Sequence, residues 1–506
     1  MTVFYFTFAM LAVQDVAFGA ARQKLRPTAV AGSFYPADPA ALIAMMDEML
    51  ARVAEPEIQG QILSVVAPHA GYPYSGPVAA YSYAALKGRK YSRVVVIAPS
   101  HYEAFDFTSV YDGDGYVTPL GTIPVDKKFA KQLTTMSSSM RLSDRGHAAT
   151  SKGAEHALEV QLPWLQHVLG SFTLVPIIMG DQRYESSRAL GAALAKLIQL
   201  DDGGAQPGAG GTLIVASSDL SHYHTYAEAE KIDKKTLQAL TEWDYFNMSR
   251  NFESRVWEAC GGAPIVAAMI ATERMGANQA KLLRYANSGD VTGDRSYVVG
   301  YGAAALVKAP GEQAVEKPYT LSDEQKNTLL GVARKSVTTA VRDGRSYDPG
   351  AVQDAALNEE RGAFVTIKEA GDLRGCVGYT APMKPLYMTV RDTAVLAALR
   401  DPRFPPVSVR ELPKLEYEIS VLSPLRHVRD VREIVVGKHG IYMKNGDAEG
   451  LLLPQVAVDE RWDRTTFLEQ TCGKAGMPPN CWKDHGTDIF MFTAVVFGEH
   501  RPAAHP

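Results

Sequence analysis

Cysteine is scarce in this chain: four in 506 residues, Cys260, Cys376, Cys472 and Cys481, with no CxxC pair among them. Such a set is too sparse and scattered for a disulfide framework, and it excludes a cysteine-only zinc site. The CxxxCxxC run that a radical enzyme needs for its iron–sulfur cluster is also missing. Charge of one sign is not in excess. A formal net charge of -4 marks neither a nucleic-acid nor a membrane surface. No uninterrupted run of about 20 apolar residues offers a membrane span. The apolar stretch at 3–18 is broken by Asp15 and has no Lys or Arg before it, so it lacks the basic flank of a secretory signal. It reads as an N-terminal extension (1–25) of a cytoplasmic protein; a signal peptide would instead place the protein in the periplasm. No internal repeat is visible.

What is present is alternation. At 506 residues the chain exceeds one ordinary core, so two or three domains are expected. Short runs rich in Val and Ile at 62–67, 93–98, 174–179, 212–216 and 297–302 read as strands buried on both faces. Helical patterns lie between them. Asp38-Pro39 reads as a cap followed by proline in the first turn. Leu158, Leu162, Leu165 and Leu169 form a stripe of helical period, and 226–240 reads as a helix. This is the pattern of a layered α/β domain over 26–308. Residues 309–320, with prolines, a glycine and charges but no period, read as a linker. Beyond it, 321–506 begins with a helix at 322–342. Strands follow at 362–368, 417–422, 440–444 and 490–497, separated by irregular stretches, as in a smaller α+β domain.

Three of the apolar runs end in a small polar loop carrying a histidine: His69, His101 and His222. Ligands of open parallel sheets bind beyond the carboxyl ends of the strands, so these rings could converge on a metal or substrate. His147, His156, His167 and His224 are also available, and spacing alone does not choose among them.

The words PTAVAGSFYP (27–36), APHAGYPYS (67–75), APSH (98–101), AEHALEVQLP (154–163), SSDLSH (217–222) and CGG (260–262) resemble, in this order, the Memo family. That family is similar in fold to class III extradiol dioxygenases, non-haem iron enzymes that open aromatic diols. The resemblance implies that His69, His101 and Cys260 are metal ligands, a thiolate standing where the dioxygenases have a carboxylate. Such a donor set suits Fe(II) first, and also Zn or Cu. It implies that His222 is the acid/base, with Asp219 setting its orientation; the plain alternative for Asp219 is a helix cap. Glu155, His156 and Glu159 are expected within one helical turn, either supporting the metal site or lining an ordinary helix face. Tyr72 and Tyr74 either wall an aromatic pocket or simply pack.

From about 322 onward the words LRGCVG (373–378), GLLLPQV (450–456), RWD, FLEQ and KAG resemble the AMMECR family. Arg374 beside Cys376 between two glycines reads either as a ligand-binding or nucleophilic loop, with the thiol pKa lowered by the arginine, or as a buried structural thiol. In the second reading Arg374 pairs with Glu416 or Glu418. Cys472 and Cys481 are expected to be ordinary thiols. Prokaryotic members of both families occur with a radical S-adenosylmethionine protein in the AmmeMemoRadiSam system, so such a protein is an expected partner. The leading expectation is a metal-dependent oxidoreductase acting on a small, aromatic-type substrate. The alternatives are a non-catalytic metal- or peptide-binding module, and an RNA- or small-molecule-modifying role for the second domain. The near-neutral charge disfavours nucleic acid.

Overall fold

Runs of Val and Ile without polar alternation need cover on both faces, and here they have it. The computed structural model describes residues 23–54, 57–150, 153–201, 210–311, 319–484 and 486–499. The 3–18 stretch and most of the 309–320 segment lie outside the described residues. The first unit runs, in chain order, α1 (Pro39–Ala51), β1 (Gln61–Ala67), α2 (Tyr72–Ala84), β2 (Tyr91–Pro99), α3 (Gln161–Leu169), β3 (Thr173–Met179), α4 (Tyr184–Asp201), β4 (Gly211–Ser217), α5 (Tyr226–Thr241), α6 (Tyr245–Glu253), α7 (Gly262–Arg274), β5 (Gln279–Asn287) and β6 (Val298–Lys308), with shorter elements between. They build a nine-stranded mixed sheet whose centre is ordered β6-β1-β4-β2-β3. β1, β4, β2 and β3 are parallel, and β6 runs antiparallel to β1. Val95 and Ile97 face a core shared with α4 and α7, while Val94 and Val96 face one shared with α1, α2 and α3. Both faces of the sheet are therefore dry. Asp38 caps α1, accepting from the Ala41 N–H at 2.8 Å.

The pairing order decides where function can sit. β1, β4 and β2 are neighbours and parallel, so the segments after Ala67, Ser217 and Pro99 leave the sheet along one edge.

The second unit comprises α8 (Asp323–Asp343), β7 (Ala363–Glu369), β8 (Asp372–Tyr379), α9 (Leu386–Leu399), β9 (Leu415–Leu422), β10 (Gly440–Asn445), β11 (Ala448–Leu452), α10 (Arg464–Lys474), β12 (Asp488–Phe492) and β13 (Ala494–Gly498). One four-stranded sheet, β8-β7-β9-β13, packs on α8 and α9; a second holds β12, β10 and β11 and packs on α10. The single strand expected at 490–497 is two strands in different sheets. At Thr493 the chain leaves the ladder, exchanging hydrogen bonds with Ser423 instead. Cys472 and Cys481, expected to be unpaired, form a disulfide. The turn after α10 folds back through a Met477 N–H to Cys472 carbonyl bond and so returns the chain beside the helix end. The two units share one hydrophobic core: Tyr442, Phe490 and Phe492 pack with Tyr184, Phe246 and Trp257. Among the described residues no helix is long and apolar enough to cross a membrane.

Candidate metal centre

The Ser217 hydroxyl, at the end of β4, sets the geometry of His69. It donates its one proton to the Ala157 carbonyl (2.6 Å) and accepts from Gln161 Nε2 (2.8 Å). It can therefore only accept from His69 Nδ1, 3.0 Å away. His69 thus carries its proton on Nδ1, and its bare Nε2 faces inward. Glu155 does the same for His101: its carboxylate lies 3.0 Å from His101 Nδ1 and also accepts the His101, His156 and Ala157 backbone N–H groups. Burial alone would raise the Glu155 carboxyl, but these bonds, led by His101, hold it below its usual range.

His156 stacks flat on His101, with centroids 4.9 Å apart, and meets His69 edge-on at 5.7 Å. Its Nδ1 is buried without a hydrogen-bond partner. Each of His69, His101 and His156 offers a nitrogen within 4.8 Å of the others, so the group could hold a metal ion. Burial first, then the neighbouring rings, keeps His69 well below the usual imidazole range and lowers His156 to about 4. Both rings are neutral, as metal-ligating histidines must be.

Cys260 arrives from the other side. Its Sγ lies 3.0 Å from His69 Nε2 and accepts the Asp219 N–H at 3.2 Å. A side chain at Gly261 would meet the Ser217 carbonyl at 2.2 Å, so only glycine lets this loop approach the end of β4 so closely. Burial, then the Asp219 charge, pushes the Cys260 thiol up. Burial likewise raises Asp219 to about 6, although it accepts the His69 N–H at 2.7 Å. Two bare, pre-oriented imidazole nitrogens, a third ring with an orphaned nitrogen and an adjacent thiol form a donor set that fits a transition-metal ion.

Several expected roles are reassigned. Asp219 neither caps a helix nor orients His222. The cap of α5 is Thr225, and His222 Nδ1 donates to the Leu220 carbonyl at 2.8 Å. Asp219 instead fixes the His69 backbone. Glu155, His156 and Glu159 do not share a helical face, because α3 starts only at Gln161. Glu159 turns away to a buried ion pair with Arg26 and accepts Tyr35 Oη at 2.5 Å. Tyr72 is a core residue whose hydroxyl donates to the Val160 carbonyl, whereas Tyr74 is exposed. In the second unit Arg374 pairs with Glu411 at 2.7 Å rather than with Glu416 or Glu418. Burial raises the Cys376 thiol, so the arginine does not activate it. Ser217, Gln161, Arg26 and Glu258, which holds His224 at 2.9 Å, went unnoticed in the sequence. The first two sit inside the words SSDLSH and AEHALEVQLP, which was the available signal.

Residues 26–305 match the Memo-like protein family. The chain belongs to the Memo family. Residues 330–497 match AMMECR1, so the chain joins a Memo unit to an AMMECR1-type unit. A MEMO1 family protein of Methanopyrus kandleri is 36% identical over 287 residues, 55% of this chain and 97% of that protein. One of Nitrosopumilus maritimus is 35% identical over 289 residues, 56% of this chain and 100% of its own length. A protein of Thermococcus gammatolerans is 41% identical over 194 residues, 36% of this chain and 95% of that protein. The solved structure of an uncharacterized protein from Pyrococcus horikoshii is 37% identical, covering 36% of this chain and 96% of its own, with a TM-score of 0.35.

Proposed function

We propose that the Memo unit is a metal-dependent oxidoreductase of the extradiol dioxygenase type, holding Fe(II) through His69, His101 and Cys260 and acting on a small aromatic substrate. The observation that carries this reading is the pair of histidines whose Nδ1–H groups are pinned by Ser217 and Glu155, so that both Nε2 atoms are left bare in a histidine group able to hold a metal ion. A metal bound there supplies Lewis acidity and, as iron, one-electron chemistry. The chain supplies the rest. His222 donates Nδ1–H to Leu220, which leaves Nε2 free to accept a substrate hydroxyl proton. Tyr74, in the first turn of α2, and Tyr223, next to His222, are both exposed and supply aromatic surface. A radical S-adenosylmethionine protein remains the proposed partner in the same pathway.

Metal content of anaerobically purified protein tests this, with His69→Ala, Cys260→Ala and His156→Ala beside the wild type. Near one iron per chain, lost in the His69 and Cys260 variants, supports the proposed set. Loss in the His156 variant with retention in Cys260→Ala would replace the thiol by a third imidazole. Protein that takes up no metal on reconstitution would overturn the reading. Oxygen uptake with catechols then tests the chemistry, and His222→Ala is expected to keep the metal and lose the uptake.

A further inference from the structure

Five described residues other than glycine hold their backbone in the left-handed region: Tyr223, Trp243, Arg255, Ala370 and Arg461. Four of them follow from the path of the chain. Trp243, Arg255 and Arg461 stand just past the helix caps Glu242, Ser254 and Glu460, where a left-handed residue ends a helix. Ala370, with Gly371, turns the hairpin between β7 and β8. Tyr223, with φ at 62°, is in neither kind of place. It lies inside the short strand His222–His224, next to the proposed acid/base.

The backbone there is a bulge. His222 pairs with Val299 and His224 with Val298, so one step on β6 faces two on the short strand, and Tyr223 is the extra residue. Both flanks are tied down. Upstream, the Leu220 N–H donates to the Gly300 carbonyl and the Ser221 N–H to Asp233, each at 2.8 Å. Downstream, Glu258 holds His224, and the Tyr226 N–H donates to the Arg295 carbonyl at 3.0 Å. A bulge accounts for the left-handed backbone but not for a bulky ring on it, since glycine or asparagine adopts it at less cost. The Tyr223 ring is 73% exposed, so packing offsets little of that cost. It meets the His222 ring edge-on, with centroids 5.7 Å apart. Burial first, then Asp219, Tyr74 and Tyr223, holds the Tyr301 phenol above its usual range, so both exposed tyrosines and Asp219 gather around one buried phenol. Strain kept beside a reacting group marks a side chain aimed at a ligand.

We propose that Tyr223 is the specificity-determining residue of the metal centre, its ring packing against the aromatic ring of a substrate whose hydroxyl proton passes to His222 Nε2. This rests on the oxidoreductase reading above and adds the group that tells an aromatic substrate from an aliphatic chelator.

Two probes test it, titrated anaerobically into the metal-loaded full-length protein. Nitrocatechol changes its absorbance as it loses a proton; acetohydroxamate is a chelator without an aromatic ring, followed by calorimetry. Tyr223→Gly is expected to weaken nitrocatechol binding about tenfold and to leave acetohydroxamate binding unchanged. Its Tm is expected to be no lower than that of the wild type, because glycine relieves the backbone strain. Tyr223→Phe keeps the ring and is expected to bind nitrocatechol within about twofold of the wild type. Unchanged nitrocatechol binding in Tyr223→Gly, equal loss of both probes, or a lowered Tm would overturn the proposal. Wild-type protein that takes up metal but binds neither probe would instead overturn the oxidoreductase reading, and the role of Tyr223 with it.

Discussion

Replacing Glu159 by glutamine turns one oxygen of a fully buried carboxylate into an NH₂ group. One oxygen receives Arg26 Nη1 and the Ala29 N–H at 2.8 Å; the other receives the Val30 N–H at 3.1 Å and the Tyr35 hydroxyl. Glutamine keeps one acceptor and turns an NH₂ group toward N–H donors that repel it, the Val30 amide on one side or the Arg26 and Ala29 groups on the other. Arg26, 5% exposed, loses its counter-charge and keeps the carbonyls of His147, Pro27 and Glu155 and the face of the Tyr116 ring. Breaking one side of a buried pair costs about 3–5 kcal/mol. Over a cooperative unit of the size of the Memo match, that lowers Tm by roughly 5–8 °C. Circular dichroism against temperature and urea measures it. The double variant Arg26→Met/Glu159→Leu is expected to recover part of the loss, because both charges leave together. A loss below about 1 kcal/mol in Glu159→Gln, within the range of an exposed pair, would refute the reasoning.

Ser217→Ala removes the acceptor that holds the His69 Nδ1 proton. Metal affinity, read by chelator competition, is expected to fall about ten- to a hundredfold, and an unchanged affinity would show that Ser217 does not pin the tautomer. Burial pushes the Glu273 carboxyl up to about 7 against nearby Arg429 and Tyr245. The folded state therefore binds this proton more tightly than the unfolded chain, and stability is lost as pH rises from about 4.5 to 7. Glu273→Gln is expected to remove that fall in urea titrations; parallel pH profiles for variant and wild type would contradict it. Phe246, 1% exposed, meets Tyr184 of its own unit edge-on and packs at a tilt on Tyr442 and Phe490 across the junction. Phe246→Ala is expected to cost about 3–5 kcal/mol and to split one calorimetric transition into two, whereas a single transition with an unshifted Tm would speak against a shared core.

The strand ends were legible because a strand buried on both faces reads as an unbroken apolar run, and a histidine just past such a run has few other places to be. His69, His101 and His222 could be named on that ground, and Cys260 through the family words. Glu155 and His156 were visible but misplaced. Helical period assumes a helix, and α3 begins only at Gln161, so the two residues reach His101 from the irregular segment that precedes the turn at 157–160. The partners of Arg374 failed for a related reason. Glu416 and Glu418 lie on β9, which β7 separates from Arg374 on β8, whereas Glu411 comes from the loop before β9, and no periodicity carries loop paths.

The junction was the least legible part, because its residues look like core residues of their own domain. One local feature nevertheless departs from that reading. β12, Asp488–Phe492, is buried at every position, although the α+β pattern around it leaves most strands half wet. A strand buried on both faces must be covered on both; α10 covers the Ile489 and Met491 face, and Memo-unit residues such as Tyr184 and Phe246 help cover Phe490 and Phe492 on the other. The strand also begins with a buried carboxylate, Asp488. That charge is met by Arg188 at 2.5 Å and by the Tyr184 hydroxyl at 3.0 Å, both from the Memo unit. A tether raises the local concentration of one unit near the other but leaves their relation free. A buried carboxylate whose arginine partners, Arg188 and Arg274, both lie across the junction does not, since separating the units would leave it without those counter-charges. Fusion here therefore does more than keep two proteins together: it gives the AMMECR1-type unit a face that is complete only against this Memo unit.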